Sequence, residues 1–266
     1  MDTRTAAEAS GATRTVPWRI ELLGGIRARR ERTLVTEFRT RRAALLLARL
    51  ALNPRPHRRD ELVAMFWPSA DAGAGRQNLS QSLSELRRRL EMPHECDFVF
   101  ASRESVWLDR ALLTTDVGEF EATLLQARSA TGAERASLLN QAVTIASAPL
   151  LPGVDHDWAV ASRERVTAEC DVALHELVRY WESAGDLGAA FEYAWRRVRL
   201  DPLDELAHRE FAKLYELAGR PAAGLRHLQV LESDLESALG RPPGDVTREL
   251  AETLRGRLHD LARRTR

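Results

Sequence analysis

Apolar positions in the first part of the chain change from strand-like to helical spacing and back. Residues 18–38 hold short runs of β-branched and aromatic residues around a Gly24-Gly25 break, and they predict a small antiparallel sheet. Helical spacing then predicts three helices, at about 40–52, 58–66 and 75–90, with a loop of small residues over 69–75. Residues 97–109 predict a hairpin. This order is typical of a winged helix-turn-helix domain.

Strand signals disappear after residue 115, and the rest of the chain predicts helices only. These helices span 116–130, 133–147, 157–184, 187–200, 203–218, 221–239 and 245–262, and segments rich in Pro, Gly and Asp separate them. Trp181–Gly185 aligns with Tyr215–Gly219 at an offset of 34 residues, which is the period of tetratricopeptide repeats. Such repeats stack into a surface that binds peptides, partner proteins or another copy of the chain.

The third predicted helix has one apolar and one polar side. Its leucines recur at i, i+4, i+7 and i+11 and form one stripe, which consists of Leu79, Leu83, Leu86 and Leu90. At about 100° per residue, the opposite side collects groups that can hydrogen-bond base edges. The predicted base contacts are Gln81, Ser84, Glu85 and Arg88. The predicted contacts to the DNA backbone are Gln77, Arg87, Arg58, Arg59 and Arg103.

The charge distribution favours a polyanionic partner for the first part of the chain only. The formal net charge of the whole chain is zero. Residues 1–110 carry 20 arginines against 14 acidic residues, whereas the remainder carries 19 basic and 25 acidic residues. A neutral chain built from a basic and an acidic part predicts that only the basic part meets a polyanion. Together with the polar side of the third helix, this predicts double-stranded DNA as the partner.

Composition and motifs argue against an enzyme or a membrane protein. The chain has 44% hydrophobic residues but no apolar stretch near the ~18 residues of a membrane span, and residues 1–15 lack the apolar core of a secretory signal. Cys96 and Cys170 form no ligand-spaced pair, as expected in a reducing cytoplasm. His175-Glu176 opens like a zinc-protease motif, but Arg179 stands where the second histidine is needed. We therefore expect no catalytic site, metal or cofactor.

Two ordered runs resemble a known family of regulators. The run RRAALLLARLALNPRPHRRDELVAMFWP, followed by RQNLSQSLSELRRRLE, resembles the winged-helix domain of response-regulator effectors. Residues 155–243, from DHDWAVASRERV to ESALGRPP, resemble the bacterial transcriptional activator domain. This pairing is similar to that of the Streptomyces antibiotic regulatory protein family. The predicted fold class is mainly α, with a disordered tail at 1–15, a β/α winged helix at 16–110 and a tetratricopeptide-like domain at 115–262.

The resemblance implies activation of transcription in the cytoplasm. Relatives of this type bind direct repeats, often as tandem protomers, and contact RNA polymerase near the sigma factor. We therefore expect a homodimer on DNA, with the 75–90 helix of each copy in a major groove, and a helical domain that either pairs protomers or binds a regulatory partner. In related effectors the loop before the recognition helix serves polymerase contact, and residues 67–75 occupy that place here.

The sequence leaves one alternative open. The winged helix could have lost DNA binding, so that the chain is a tetratricopeptide-type scaffold for protein interactions. Salt distinguishes the two, because phosphate-driven binding to a duplex weakens steeply as salt rises, whereas a scaffold shows little such dependence.

Overall fold

The computed structural model describes residues 17–91 and 97–264 and divides into two compact units, which separate between Glu119 and Phe120. The predicted tail at 1–15 and Cys96 lie outside the described residues. Each unit has its own core of buried apolar residues.

The first unit alternates short strands with three helices. Its elements are β1 (Trp18–Glu21), β2 (Arg27–Arg30), β3 (Thr33–Val35), α1 (Arg41–Leu52), β4 (His57–Arg58), α2 (Arg59–Phe66), α3 (Ala72–Leu90), β5 (Val99–Ala101), β6 (Ser105–Leu108), a short 3₁₀ helix (Arg110–Leu112) and β7 (Leu113–Thr115). One sheet has the order β3-β2-β1-β7 and the other β4-β6-β5. The predicted hairpin is β5–β6, and it gains β4 as a third strand.

Strand β7 forms one edge of the first sheet, and the sequence did not predict it. It pairs in parallel with β1, with Trp18 opposite Leu113 and Ile20 opposite Thr115. Asp116 follows it at once, and its carboxylate accepts the backbone N–H groups of Leu22 and Leu23 at 2.8–2.9 Å. Burial raises the pKa of Asp116, although these hydrogen bonds oppose the shift. These hydrogen bonds hold the residues that follow β1 against the first residue of the helix that begins after β7.

The leucine stripe of α3 lies in the core of the first unit, as predicted. Leu79, Leu83, Leu86 and Leu90 are each at most 2% exposed. The indole Nε1 of Trp18 donates to the carbonyl oxygen of Leu90 at 2.9 Å, which joins β1 to the last turn of α3. Because each buried leucine contributes about 1.5–3 kcal/mol, the stripe firmly sets which side of α3 faces outward.

Helix α3 begins earlier than predicted. The small residues at 69–75 indicated a loop, but the carboxylate of Asp71 accepts the N–H of Ala74 at 2.8 Å and caps a helix that starts at Ala72. An aspartate in this position satisfies one of the free N–H groups of a first turn. The segment that precedes the helix is therefore shorter than the predicted loop.

The second unit is helical throughout its described residues. It contains most of α4 (Asp116–Ser129), then α5 (Gly132–Ile145), α6 (Asp157–Ser183), α7 (Leu187–Leu200), α8 (Glu205–Leu217), α9 (Pro221–Leu239) and α10 (Asp245–Arg264). From α5 onward, each helix packs against the next one. All seven predicted helices are present, with ends within two residues of those predicted.

The predicted 34-residue repeat is visible in the turns between helices. In the first turn, Gly185 bonds to the carbonyl of Glu182 and Asp186 to that of Trp181. The same two bonds recur 34 residues later in the turn at Gly219. Both glycines have a left-handed φ, of 78° and 70°, which residues with a Cβ adopt only at a cost.

Candidate nucleic-acid interface

Helix α3 presents a row of polar side chains opposite its buried leucines. Gln77, Gln81, Ser84 and Arg88 are all exposed. They follow the same i, i+4, i+7, i+11 spacing as the leucines but lie two positions earlier, which turns them by about 200° around the helix axis. The structure therefore brings these four predicted site residues together on one accessible side.

This row faces an open depression of about 960 Å³ on the first unit. The depression is lined by polar residues of α3, by residues 39–42 at the beginning of α1, and by Trp67. The lining residues are Arg39, Thr40, Arg41, Arg42, Trp67, Gln77, Asn78, Ser80, Gln81, Ser82, Ser84, Glu85 and Arg88. Four arginines and one acid give this surface a net positive charge.

The placement of Glu85 on the exposed side was wrong. The side chain is only 7% exposed, and its carboxylate accepts the backbone N–H of Arg39 in the segment before α1. Glu85 lies about 130° from the leucine stripe, on the flank where α1 packs against α3. A neighbouring element covers this flank, which the helical period alone could not reveal. Glu85 is therefore unavailable to a base edge.

Arg87 is also absent from the polar row. It is half-buried, and its Nε donates to the carbonyl oxygen of Val99 in β5 at 3.1 Å. It lies only about 70° from the leucine stripe and so reaches the neighbouring hairpin. This hydrogen bond joins α3 to the β5–β6 hairpin, which is the wing of the domain, and Arg87 does not line the depression.

The structure brings Arg58, Arg59 and Arg103 together away from this depression. Arg58 pairs with Ser105 in the β4–β6 ladder, and the N–H of Arg59 donates to the carbonyl of Glu104 at 2.8 Å. Arg103 is exposed in the turn between β5 and β6. The short β4 pairing therefore sets the beginning of α2 beside the hairpin tip, so the backbones of these three residues lie near one another.

Sequence reasoning missed the arginines at the beginning of α1. Arg39, Arg41 and Arg42 are exposed, and Thr40 caps the helix by accepting the N–H of Ala43 at 3.1 Å. The signal was present as RTRR, a capping threonine within a run of arginines directly before an apolar helix. What the sequence did not contain was the position of this run beside α3.

The described residues give no indication of a metal site or a membrane segment. They contain no group of three His, Cys, Asp or Glu side chains that could hold a metal ion. Within the same residues, every helix is too short or too polar to cross a lipid bilayer. Burial raises the pKa of the Cys170 thiol to about 11, so this thiol stays protonated and unreactive at neutral pH.

Comparison with protein families identifies the second part of the chain. The family described as the bacterial transcriptional activator domain matches residues 115–255, which is just over half of the chain. The chain therefore belongs to this family. No curated protein matches the sequence.

Solved structures agree with the two-part fold. The chain is similar to Mycobacterium tuberculosis EmbR, whose structure was solved in complex with a low-affinity phosphopeptide, with a TM-score of 0.71 at 20% identity. The match covers 90% of this chain and 65% of EmbR, so the chain spans about two thirds of that protein's length. Together with the family match, this confirms the resemblance to Streptomyces antibiotic regulatory proteins and the fold class, a winged helix followed by tetratricopeptide-like helices.

A weaker likeness involves a tetratricopeptide domain. The C-terminal domain of a Plasmodium falciparum FK506-binding protein is 12% identical, with a TM-score of 0.39, and the match covers 56% of this chain and 93% of that domain.

Proposed function

We propose that this protein is a cytoplasmic transcriptional activator that reads a specific DNA sequence with α3. The observation that carries the proposal is the exposed row of Gln77, Gln81, Ser84 and Arg88, set in a positively charged depression. Glutamine can pair with adenine, arginine can bind guanine through two hydrogen bonds, and serine tolerates either partner. In a winged helix this is the helix that enters the major groove.

The remaining proposed contacts fix the position of the domain on the duplex. Arg58, Arg59 and Arg103 are proposed to contact phosphates of the DNA backbone, because the β4–β6 pairing places them in neighbouring parts of the backbone beside the hairpin tip. Phosphate contacts of this kind set register and orientation but carry no sequence information.

We assign the second unit to regulation and assembly. Its family membership supports a role in activation, and its stacked helices offer surface for a second protomer or for RNA polymerase near the sigma factor. Two protomers bound head to tail on a direct repeat would each insert one α3. The same proposal includes a polymerase contact by residues 67–75. Because α3 starts at Ala72, the non-helical part of this segment is residues 67–71.

Selection of bound duplexes from a random pool, at two salt concentrations, tests the proposal. We expect enrichment of a direct repeat and an affinity that falls steeply with salt. Failure to enrich any sequence, together with salt-independent association with duplex, would favour the alternative of a protein-interaction scaffold.

Single substitutions then test the assignment of the polar row. Gln81→Ala and Arg88→Ala should each cost about 1–3 kcal/mol on the selected site and should relax preference at one base pair. Arg89→Ala is the matched control, because Arg89 is exposed on the same helix but does not line the depression. If Arg88→Ala and Arg89→Ala have the same small effect, the face assignment is incorrect.

A further inference from the structure

The depression beside α3 has a second basic side that base reading does not use. Arg39, Arg41 and Arg42 are exposed at its α1 edge, and the guanidinium of Arg42 lies 5.9 Å from the centre of the Trp67 ring. Trp67 itself is 6% exposed, so the ring is a fixed support for this side chain. Among the described residues that line the depression, Glu85 is the one acid, and it is turned away from solvent.

Glu85 connects the two sides of the depression. It belongs to α3, yet its carboxylate accepts the backbone N–H of Arg39, the residue before the capping Thr40. Residues 36–40 have no regular structure, so no ladder of backbone hydrogen bonds holds them. A carboxylate that is buried this far must be hydrogen-bonded, and the bond ties the position of residues 39–42 to α3 itself.

We propose that Arg39, Arg41 and Arg42 bind backbone phosphates at the edge of the groove that α3 enters, and that Glu85 is the positioning residue for them. This inference rests on the proposed function, because it needs α3 to lie in a duplex groove. Glu85 is too buried to contact a base, and in this proposal it contributes to DNA binding by positioning the three arginines. The phosphate contacts lie on the opposite side of the polar row from the contacts that Arg87 makes with the wing.

Salt dependence of binding to a non-cognate duplex measures these contacts. The full chain is titrated onto a fluorescent mixed-sequence duplex between about 50 and 200 mM salt, because each neutralised phosphate contributes about 0.9 to the slope of log K against log salt. We expect Arg39→Ala/Arg41→Ala to reduce the magnitude of the slope by up to about 1.8. Arg42 is left unchanged in this variant, because its guanidinium packs over the Trp67 ring and its removal would also alter that contact.

The matched control removes the same charge elsewhere on the first unit. Arg32→Ala/Arg110→Ala changes two exposed arginines that do not line the depression, and we expect its slope to stay within error of the unmodified chain. Equal slopes for the two double variants would overturn the phosphate assignment while the proposed function stood. If the unmodified chain shows no salt-dependent binding, the proposed function fails, and the inference fails with it.

Variants of Glu85 test the positioning role. Glu85→Gln keeps an oxygen that accepts the N–H of Arg39, so we expect a slope near that of the unmodified chain. Glu85→Leu has the same charge as Glu85→Gln but no acceptor, and we expect it to lose most of the slope that Arg39→Ala/Arg41→Ala loses. Thermal unfolding checks that each variant is folded. Should the leucine variant not fold, Glu85→Asp replaces it, because its carboxylate is one methylene too short.

The decisive comparison places the Glu85 variant in the background without the arginines. If Glu85 acts through these arginines, then Glu85→Leu should change slope and affinity much less once Arg39→Ala/Arg41→Ala is present, because only Arg42 is then left for it to position. A loss of affinity that is equal in both backgrounds would show that Glu85 affects DNA binding by another route and would overturn the inference.

Discussion

Arg197 is a buried charge in the second unit that is paired with carboxylates of two neighbouring helices, so its removal should be strongly destabilising. The side chain is 3% exposed and connects three helices. Its guanidinium bonds to the carboxylate of Asp171 in α6 at 2.5 and 2.9 Å and to that of Glu210 in α8 at 2.9 Å, with Asp204 at 3.6 Å. Arg197→Met fills most of the same volume but leaves these carboxylates facing each other. Breaking a buried ion pair typically costs about 3–5 kcal/mol. We expect the low end of this range, because Asp171 is about one third exposed and Glu210 still lies 2.8 Å from Nδ1 of His175.

Urea unfolding followed by circular dichroism measures this cost as a change of midpoint at constant slope. Arg199→Met is the matched control, since Arg199 is exposed two residues further along α7, and it should change stability by no more than about 0.5 kcal/mol. Adding Glu210→Gln to Arg197→Met should recover part of the loss, because one of the stranded charges is then gone. Equal midpoints for Arg197→Met and Arg199→Met would refute the reasoning.

Two further predictions concern one residue in each unit. Gly75→Ala would place a Cβ 2.4 Å from Cγ1 of Val63, so we expect a cost of about 1–3 kcal/mol in thermal unfolding, and most of it should disappear in Gly75→Ala/Val63→Ala. Burial lowers the pKa of His227 to about 4, with a smaller contribution from His208. The unfolded chain then takes up the proton more readily, so stability should fall as pH drops from about 6.5 to about 4. His227→Phe should flatten this pH dependence, and an unchanged pH profile would contradict the assignment.

Sequence periodicity predicted the long helices well but missed the two short strands β4 and β7. The helices of the second unit are at least 13 residues long, so several turns of apolar spacing define each of them. Strands β4 and β7 have two and three residues, too few to show any period. They exist because of pairing with β6 and β1, which lie about 50 and 95 residues away in the chain. Such pairing is a property of the folded unit.

The candidate site divides in the same way. The leucine stripe of α3 determined by itself that the polar row opposite it would be exposed. A helix that buries one apolar stripe exposes the residues about 180° from it, which here are Gln77, Gln81, Ser84 and Arg88. For residues on the flanks of the helix, the outcome depends on what packs beside it. Glu85 is covered by the segment before α1, and Arg87 reaches β5.

What the sequence determined by itself is therefore the set of features that repeat within one helix or recur along the chain. These are the helices, the 34-residue repeat and the most exposed side of α3. Only the tertiary structure decided that the arginines at 39–42 border the same depression as that side. The physical reason is range, since helical spacing acts over a few residues, whereas the approach of α1 to α3 depends on how the whole core of the first unit packs.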